Sequence, residues 1–298
     1  MDFNSINNYD GFQAMAAYHD TFFDRPSPLE NDEFVLLHKY IKQLEISGNK
    51  LLDIGCGTGD LCFYMANCGY NVAGIDYSDN MLLVARNKLA LFKNSINARN
   101  TFLGSADRPL KLAKNSLTSV TPKIKFLKND ICVSNCITEQ FNLISMINTL
   151  SYIKPENRSF VFSNISNCLY TKGYVIFNIV TRAEFEHALS VKYENSMFDY
   201  EINYDYKKDH KLSTTCYKFY ESGIIKTPFE IHFAEFEHSL GDIVEILRQS
   251  GLNVLKIIPN TPIYSDDEID LNRIIEAIEA SYTMPNGARS VIFVAQKK

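Results

Sequence analysis

The stretch Lys50-Leu51-Leu52-Asp53-Ile54-Gly55-Cys56-Gly57-Thr58-Gly59-Asp60 decides how this chain is read. A short apolar run makes a buried strand, three alternating glycines make a tight loop, and the acid opens a helix. Glycine at alternate positions removes Cβ where the backbone turns sharply and lets a ligand approach the peptide groups directly. The loop therefore marks a nucleotide-type pocket. Its spacing also restricts the ligand. A dinucleotide fingerprint places its third glycine three residues after the second, where this chain has Asp60. A carboxylate there opposes a pyrophosphate and tolerates a ligand without phosphate.

Outward from the loop, strands and helices alternate. Leu61, Met65 and Ala66 form the inner face of a helix that Gly69 stops, and Asn71 to Asp76 is the second strand. Asp76 falls about 20 residues past the glycines, where a ribose-binding acid is expected. Ser78 caps a helix through Met81, Val84, Ala85 and Lys88. Asn94 to Pro122 is polar and aperiodic and reads as an insertion. A third strand ends at Asn129-Asp130-Ile131, and a fourth spans Phe141 to Ile147, followed by Asn148 to Tyr152. Pro155 opens a helix with Phe160, Val161, Ile165 and Leu169 inside, and Gly173 precedes an apolar strand through Val180. Such alternation implies a parallel sheet covered on both faces, with ligands at the carboxyl ends of its strands.

The flanks read differently. Before the loop, Tyr9, Phe12, Tyr18, Phe22 and Phe23 suggest a short aromatic helix, and Phe34, Leu37, Ile41 and Leu44 an amphipathic helix ending near Gly48. From Thr181 to Phe233 tyrosines lie among charges, and Lys211 to Tyr220 alternates as a strand does, so antiparallel strands forming a cover are expected. Ser239 and Asp242 make a capping box before Leu240, Ile243, Val244 and Leu247. The strand Leu252 to Ile258, a helix through Ile274, Ile275 and Ile278, and the strand Ser290 to Ala295 complete the pattern.

Composition narrows the class. The 298 residues suit one α/β domain with an elaboration, and 46% hydrophobic residues supply its core. A net charge of -5 argues against a nucleic-acid partner. Seven cysteines without a Cys-x-x-Cys pair read as thiols in a reducing cytoplasm. The polar, acid-containing N-terminus is neither a signal peptide nor a membrane span.

Taken together, Asp53, Gly55, Gly57 and Gly59, then Asp76, then Asp130-Ile131, then the segment after the fourth strand, resemble class I S-adenosylmethionine-dependent methyltransferases. The resemblance covers about Phe34 to Thr181 well and Glu237 to Ala295 more loosely. It implies a Rossmann-like, seven-stranded, mostly parallel sheet with helices on both faces and an antiparallel last strand. An N-terminal helical lid and an antiparallel insertion resemble small-molecule enzymes such as amino-sugar and glycine N-methyltransferases. Residues 1–47 would then be lid and first packing helix, 48–180 the S-adenosylmethionine-binding core, 181–238 the substrate lid, and 239–298 the completion of the sheet.

The same resemblance distributes roles. Asp76 would accept both ribose hydroxyls, Asp130 and the Ile131 N–H would serve the adenine, and Tyr77 and Met81 would sandwich it. Asp53 would help hold the ammonium, Tyr18 and less directly Tyr9 would cover the methionine carboxylate, and Asn148 would complete the cofactor site. Tyr152 is positioned to reach the transferred methyl, and His232 is the candidate base. Since His232 and Glu235 would face opposite sides of one strand, they form no dyad. No acid accompanies Asn148, so no metal is expected. The acceptor is expected to be a small molecule methylated at N or O. Cyclisation of the methionine chain, a transfer-RNA methyltransferase and a non-catalytic subunit are the competing readings, and the tyrosine-rich insertion could equally form a homodimer surface.

Overall fold

The computed structural model describes residues 6–24, 31–98, 102–103, 109–110, 123–133, 137–180, 189–194, 197–207, 211–260 and 290–298. The expected helix at Ile274 to Ile278 and most of the Asn94 to Pro122 insertion lie outside them.

Seven strands form the main sheet: β1 (Lys50–Ile54), β2 (Asn71–Asp76), β5 (Ile124–Lys128), β6 (Phe141–Met146), β7 (Leu169–Val180), β12 (Leu252–Asn260) and β13 (Ser290–Lys297). Their spatial order is β12-β13-β7-β6-β1-β2-β5. β1 pairs parallel with β2 and β6, while β13 runs antiparallel to both β7 and β12. The sheet is thus the expected one, reversed last strand included. A short pair, β3 (Phe102–Leu103) and β4 (Pro109–Leu110), lies in the insertion.

Helices cover both faces because their apolar stripes match the sheet. On one side α2 (Asp32–Ile41), α3 (Asp60–Asn67) and α4 (Asp79–Ala98) bury Leu37, Ile41, Phe63, Met65 and Leu82 against Leu51, Leu143 and Ile176. On the other, α5 (Arg158–Cys168) and α6 (Leu240–Gln249) bury Phe162, Ile165, Ile243 and Leu247 against Ile144, Phe177 and Phe293. A buried leucine or phenylalanine contributes about 1.5–3 kcal/mol, so these layers hold the sheet rigid. The Ser239 side chain accepts from the Asp242 N–H, the first of the two hydrogen bonds of the expected capping box.

Two expectations shift. α2 ends at Ile41 rather than near Gly48, because Asn142 on β6 takes over the following loop, donating to Ser47 O and accepting from the Lys50 N–H. Phe160 is exposed rather than inside, since the inward stripe of α5 runs through Val161, Phe162, Ile165 and Cys168, and Pro155–Asn157 forms a 3-10 turn before it.

The cover is a second sheet, order β11-β10-β9-β8, made of β8 (Leu189–Glu194), β9 (Asp199–Lys207), β10 (Leu212–Phe219) and β11 (Phe229–Phe236), antiparallel throughout. Phe198, Tyr200, Ile202, Phe219, Ile231 and Phe233 close a third core with Met15 and Ala16 of the N-terminal segment and Met81 of α4. The N-terminal helix α1 (Asn8–Met15) seals the free edge of β11. Asn8 Nδ2 donates to Ala234 O and its Oδ1 accepts from the Ala234 N–H, both at 2.8 Å, so one side-chain amide substitutes for a neighbouring strand. Gly11 permits this approach: a Cβ there would lie 2.9 Å from His232 O.

Candidate active site

Between the carboxyl ends of the parallel strands and the cover lies a cavity of about 920 Å³. Its floor is the glycine loop. The Gly55 and Cys56 N–H groups donate to Ile75 O, at the end of β2. A Cβ on Gly55 would meet Thr149 Oγ1 at 2.2 Å, so that glycine serves packing. At Gly57 the backbone is left-handed, φ 53°, and a Cβ would meet nothing within 4 Å. Gly57 therefore leaves open space beside the cavity it lines. Gly59 sits one step further out as the residue before α3, packed against Phe126, and is not part of the lining.

Two buried acids flank the loop. Asp76 accepts from the Gly57 N–H at 2.9 Å through one carboxylate oxygen and from the Ser78 N–H at 2.8 Å through the other. Each oxygen keeps a further lone pair, and burial raises the pKa against the lowering pull of those two N–H groups. Asp53, on β1, accepts from Ser145 Oγ at 2.8 Å and Cys62 Sγ at 3.3 Å. Its burial pushes the pKa up to about 7, with those hydrogen bonds opposing.

Past β5, Asn129 is tied by its N–H to Asp76 O, and the exposed Asp130 accepts from the Cys132 N–H beside the buried Ile131. Tyr77 and Met81 follow β2, and Tyr77 meets the rings of Tyr9 and Phe12 edge-on at 5.5 and 6.1 Å. Asn148 holds a left-handed φ of 52°, locked by reciprocal 2.6 Å hydrogen bonds with Asn178. Tyr152 ends a 3-10 turn and packs between Phe12 at 4.9 Å and Phe233 at 6.0 Å. Burial first, then Glu235, hold its hydroxyl well above the ordinary tyrosine pKa, so it remains a hydrogen-bond donor.

The structure brings Asp53, Gly55, Gly57, Asp76, Tyr77, Met81, Asp130, Ile131, Asn148 and Tyr152 to one cavity. It does not bring Tyr18 or His232 there. Tyr18 packs on Phe198, Phe219 and Phe229 inside the cover, because the chain turns at Met15 and carries its ring under the second sheet. Tyr9 lines the cavity instead. His232 points away from it, 3.3 Å from Glu230, while Glu235 accepts from Thr215. The two do not pair, as strand alternation dictates. His187 and His210 lie outside the described residues.

Several contacts were invisible to sequence reasoning. Gln13 bolts α1 to the start of α4, its Oε1 accepting from Ser78 Oγ and the Asn80 N–H at 2.9 and 2.7 Å. The nearly buried Lys88 donates to Asp20 at 2.9 Å, Asp60 at 2.5 Å and Thr58 at 3.3 Å, and His19 joins through Asp20 at 3.2 Å. Burial opposes ionisation of Asp20, yet the His19 hydrogen bond and Lys88 hold its carboxyl well below the usual range. Asp60 is therefore paired rather than bare. Two carboxylates against one ammonium still leave this side of the loop unfavourable to phosphate. Helical spacing from Ser78 to Lys88 was the one available signal.

The methyltransferase domain family matches residues 29–257 of this chain, and the chain belongs to that family. Among curated relatives, the ubiquinone biosynthesis O-methyltransferase of Hydrogenovibrio crunogenus is 43% identical over 65 residues, 19% of this chain and 27% of that one. The chain spans 27–43% of the length of the first curated relatives it matches. Among solved structures, an S-adenosylmethionine-dependent methyltransferase of Clostridium acetobutylicum superposes with a TM-score of 0.64 at 19% identity, over 98% of this chain and 99% of that one. An amino pentose methyltransferase of Micromonospora echinaspora, involved in calicheamicin biosynthesis, gives 0.63 at 12% identity over 96% of both chains. These likenesses establish the class I, Rossmann-like methyltransferase fold. Among the described residues no helix is long and apolar enough to cross a membrane.

Proposed function

We propose that the chain binds S-adenosylmethionine along the ends of β1, β2 and β5 and methylates the N or O atom of a small molecule held beneath the cover. One observation carries this reading: a single cavity of about 920 Å³ runs from Asp76 and Asp130 past Tyr152 to Tyr217, Phe233 and Phe236. That size matches small-molecule ligands rather than a macromolecular surface. The residues fit the cofactor. Asp76 has lone pairs to spare for two hydroxyls, the open side of Gly57 admits a ligand against the backbone, and Asp53 offers a carboxylate to an ammonium.

When bound, S-adenosylmethionine supplies a methyl group on a cationic sulfonium, which is electrophilic without further activation. The chain's own work is alignment and exclusion of water. Phe12, Tyr152, Tyr217 and Phe233 form an aromatic wall over the strand ends. The Tyr152 hydroxyl, kept protonated, positions the acceptor by donating to a lone pair other than the attacking one.

Incubation with methyl-labelled S-adenosylmethionine and a panel of small amines and alcohols tests this. S-adenosylhomocysteine together with a labelled acceptor is the expected result. Methylthioadenosine without a methylated acceptor would replace transfer by cyclisation, and salt-sensitive labelling of RNA alone would overturn the small-molecule assignment.

A further inference from the structure

The face of the cover sheet opposite Tyr217 and Phe233 carries a separate cluster: Cys216 on β10, with Glu230 and His232 on β11. Cys216 and His232 are direct cross-strand partners, and Glu230 shares their face two residues before His232. Cys216 Sγ lies 3.9 Å from His232 Nε2 and 3.8 Å from Glu230 Oε2, which are 3.3 Å from each other. We propose that these three atoms bind a zinc-type transition-metal dication, which staples β10 to β11.

The argument is geometric. Zinc bonds of about 2.3 Å to sulfur and about 2.0 Å to nitrogen and oxygen, at tetrahedral angles, give ligand-to-ligand edges of about 3.5 Å for the sulfur pairs and about 3.3 Å for nitrogen to oxygen. The three donors therefore already stand on one face of a tetrahedron, within about 0.4 Å. Partial exposure of Cys216 and His232 leaves the fourth position to water. Lys218 approaches the other oxygen of Glu230, Oε1, at 3.8 Å, which leaves Oε2 facing the cluster. Thiolate, imidazole and carboxylate together favour zinc over magnesium or calcium, whose ligands are oxygen. On binding, the thiol proton passes to solvent and the sulfur becomes a thiolate. None of the three residues lines the cavity, so the site is distinct from methyl transfer.

The test is a cobalt titration of the chelator-treated full chain. One equivalent of Co²⁺ should produce a thiolate-to-cobalt charge-transfer band in the near ultraviolet with tetrahedral d–d bands in the visible. Both should be lost in Cys216→Ser and in His232→Ala, with far-ultraviolet circular dichroism confirming that the variants fold. Without any variant, Zn²⁺ should shield Cys216 from iodoacetamide, read by mass spectrometry of its peptide. Absence of the band in the wild type, its persistence in both variants, or alkylation of Cys216 at the same rate with and without Zn²⁺ would overturn the proposal.

Discussion

The carboxyl edge of the parallel sheet and the inner face of the cover line the same cavity with different material. At the sheet edge the functional groups are carboxylates and backbone amides, and they are locked by contacts among neighbours: Asp76 to Gly57 and Ser78, Asp53 to Ser145. On the cover the groups are rings, Phe12, Tyr217 and Phe233, held by side chains of α1 that reach across to β11 and α4. The first arrangement is preorganised for one ligand of fixed shape. The second presents flat aromatic faces, which suit an acceptor that differs from enzyme to enzyme. Cofactor affinity should therefore depend on the sheet edge alone, and transfer on both.

Gly57→Val should produce the largest break. A branched residue at φ 53° is strained by roughly 1–2 kcal/mol, and its side chain would stand in space now open to the ligand. Calorimetry should show S-adenosylhomocysteine binding abolished, with little loss of melting temperature. Gly55→Ala should do the reverse, unfolding earlier because its Cβ would collide with Thr149. Equal effects of the two substitutions on binding and melting would erase the distinction drawn between these glycines.

Asp76→Asn comes next. It keeps one acceptor oxygen for the loop but loses the charge, and should weaken S-adenosylhomocysteine by roughly 10- to 100-fold, the range for hydrogen bonds to a charged group. Unchanged affinity would move the ribose elsewhere.

The pH dependence of Asp53 sharpens the same side of the comparison. Its folded-state pKa, about 7, exceeds the ordinary value of 3.8. The stability this group contributes is thus fully present below about pH 4 and is lost as pH rises through about 7. Ligand binding runs the other way, because an ammonium needs the ionised carboxylate. S-adenosylhomocysteine affinity should climb by up to about tenfold per unit below pH 7 and level above it, and Asp53→Asn should flatten the profile. A flat wild-type profile would remove Asp53 from the ammonium site.

The smallest effect belongs to the cover. Asn8→Ala removes two hydrogen bonds to Ala234, each worth about 1 kcal/mol at most after water replaces them. Acceptor turnover should fall several-fold while S-adenosylhomocysteine affinity stays within about twofold. A parallel loss of both would show that the cover also holds the cofactor.

The difference between the two regions also explains what could be read from sequence. The sheet edge was legible because its determinants are local: an apolar run, three glycines at fixed spacing, and an acid ending the next strand. The cover was legible only as a kind of structure. Alternation in Lys211 to Tyr220 announced a strand, but nothing in one segment says that Asn8 will close the edge of β11, 226 residues away. The resemblance assigned Tyr18 to the methionine carboxylate, and the fold spends its ring in the cover's core, since a cavity wall and a core call for the same aromatic side chain. Phe160 failed for a related reason: periodicity names a stripe only once the helix start is known, and the 3-10 turn at Pro155–Asn157 shifts it.

Side-by-side calorimetric titrations of the full chain with S-adenosylhomocysteine and with NAD test the central claim most directly. One S-adenosylhomocysteine should bind per chain, with no heat from NAD, and the binding should weaken in Asp76→Asn. No binding of S-adenosylhomocysteine, or NAD bound at the same site, would contradict the account.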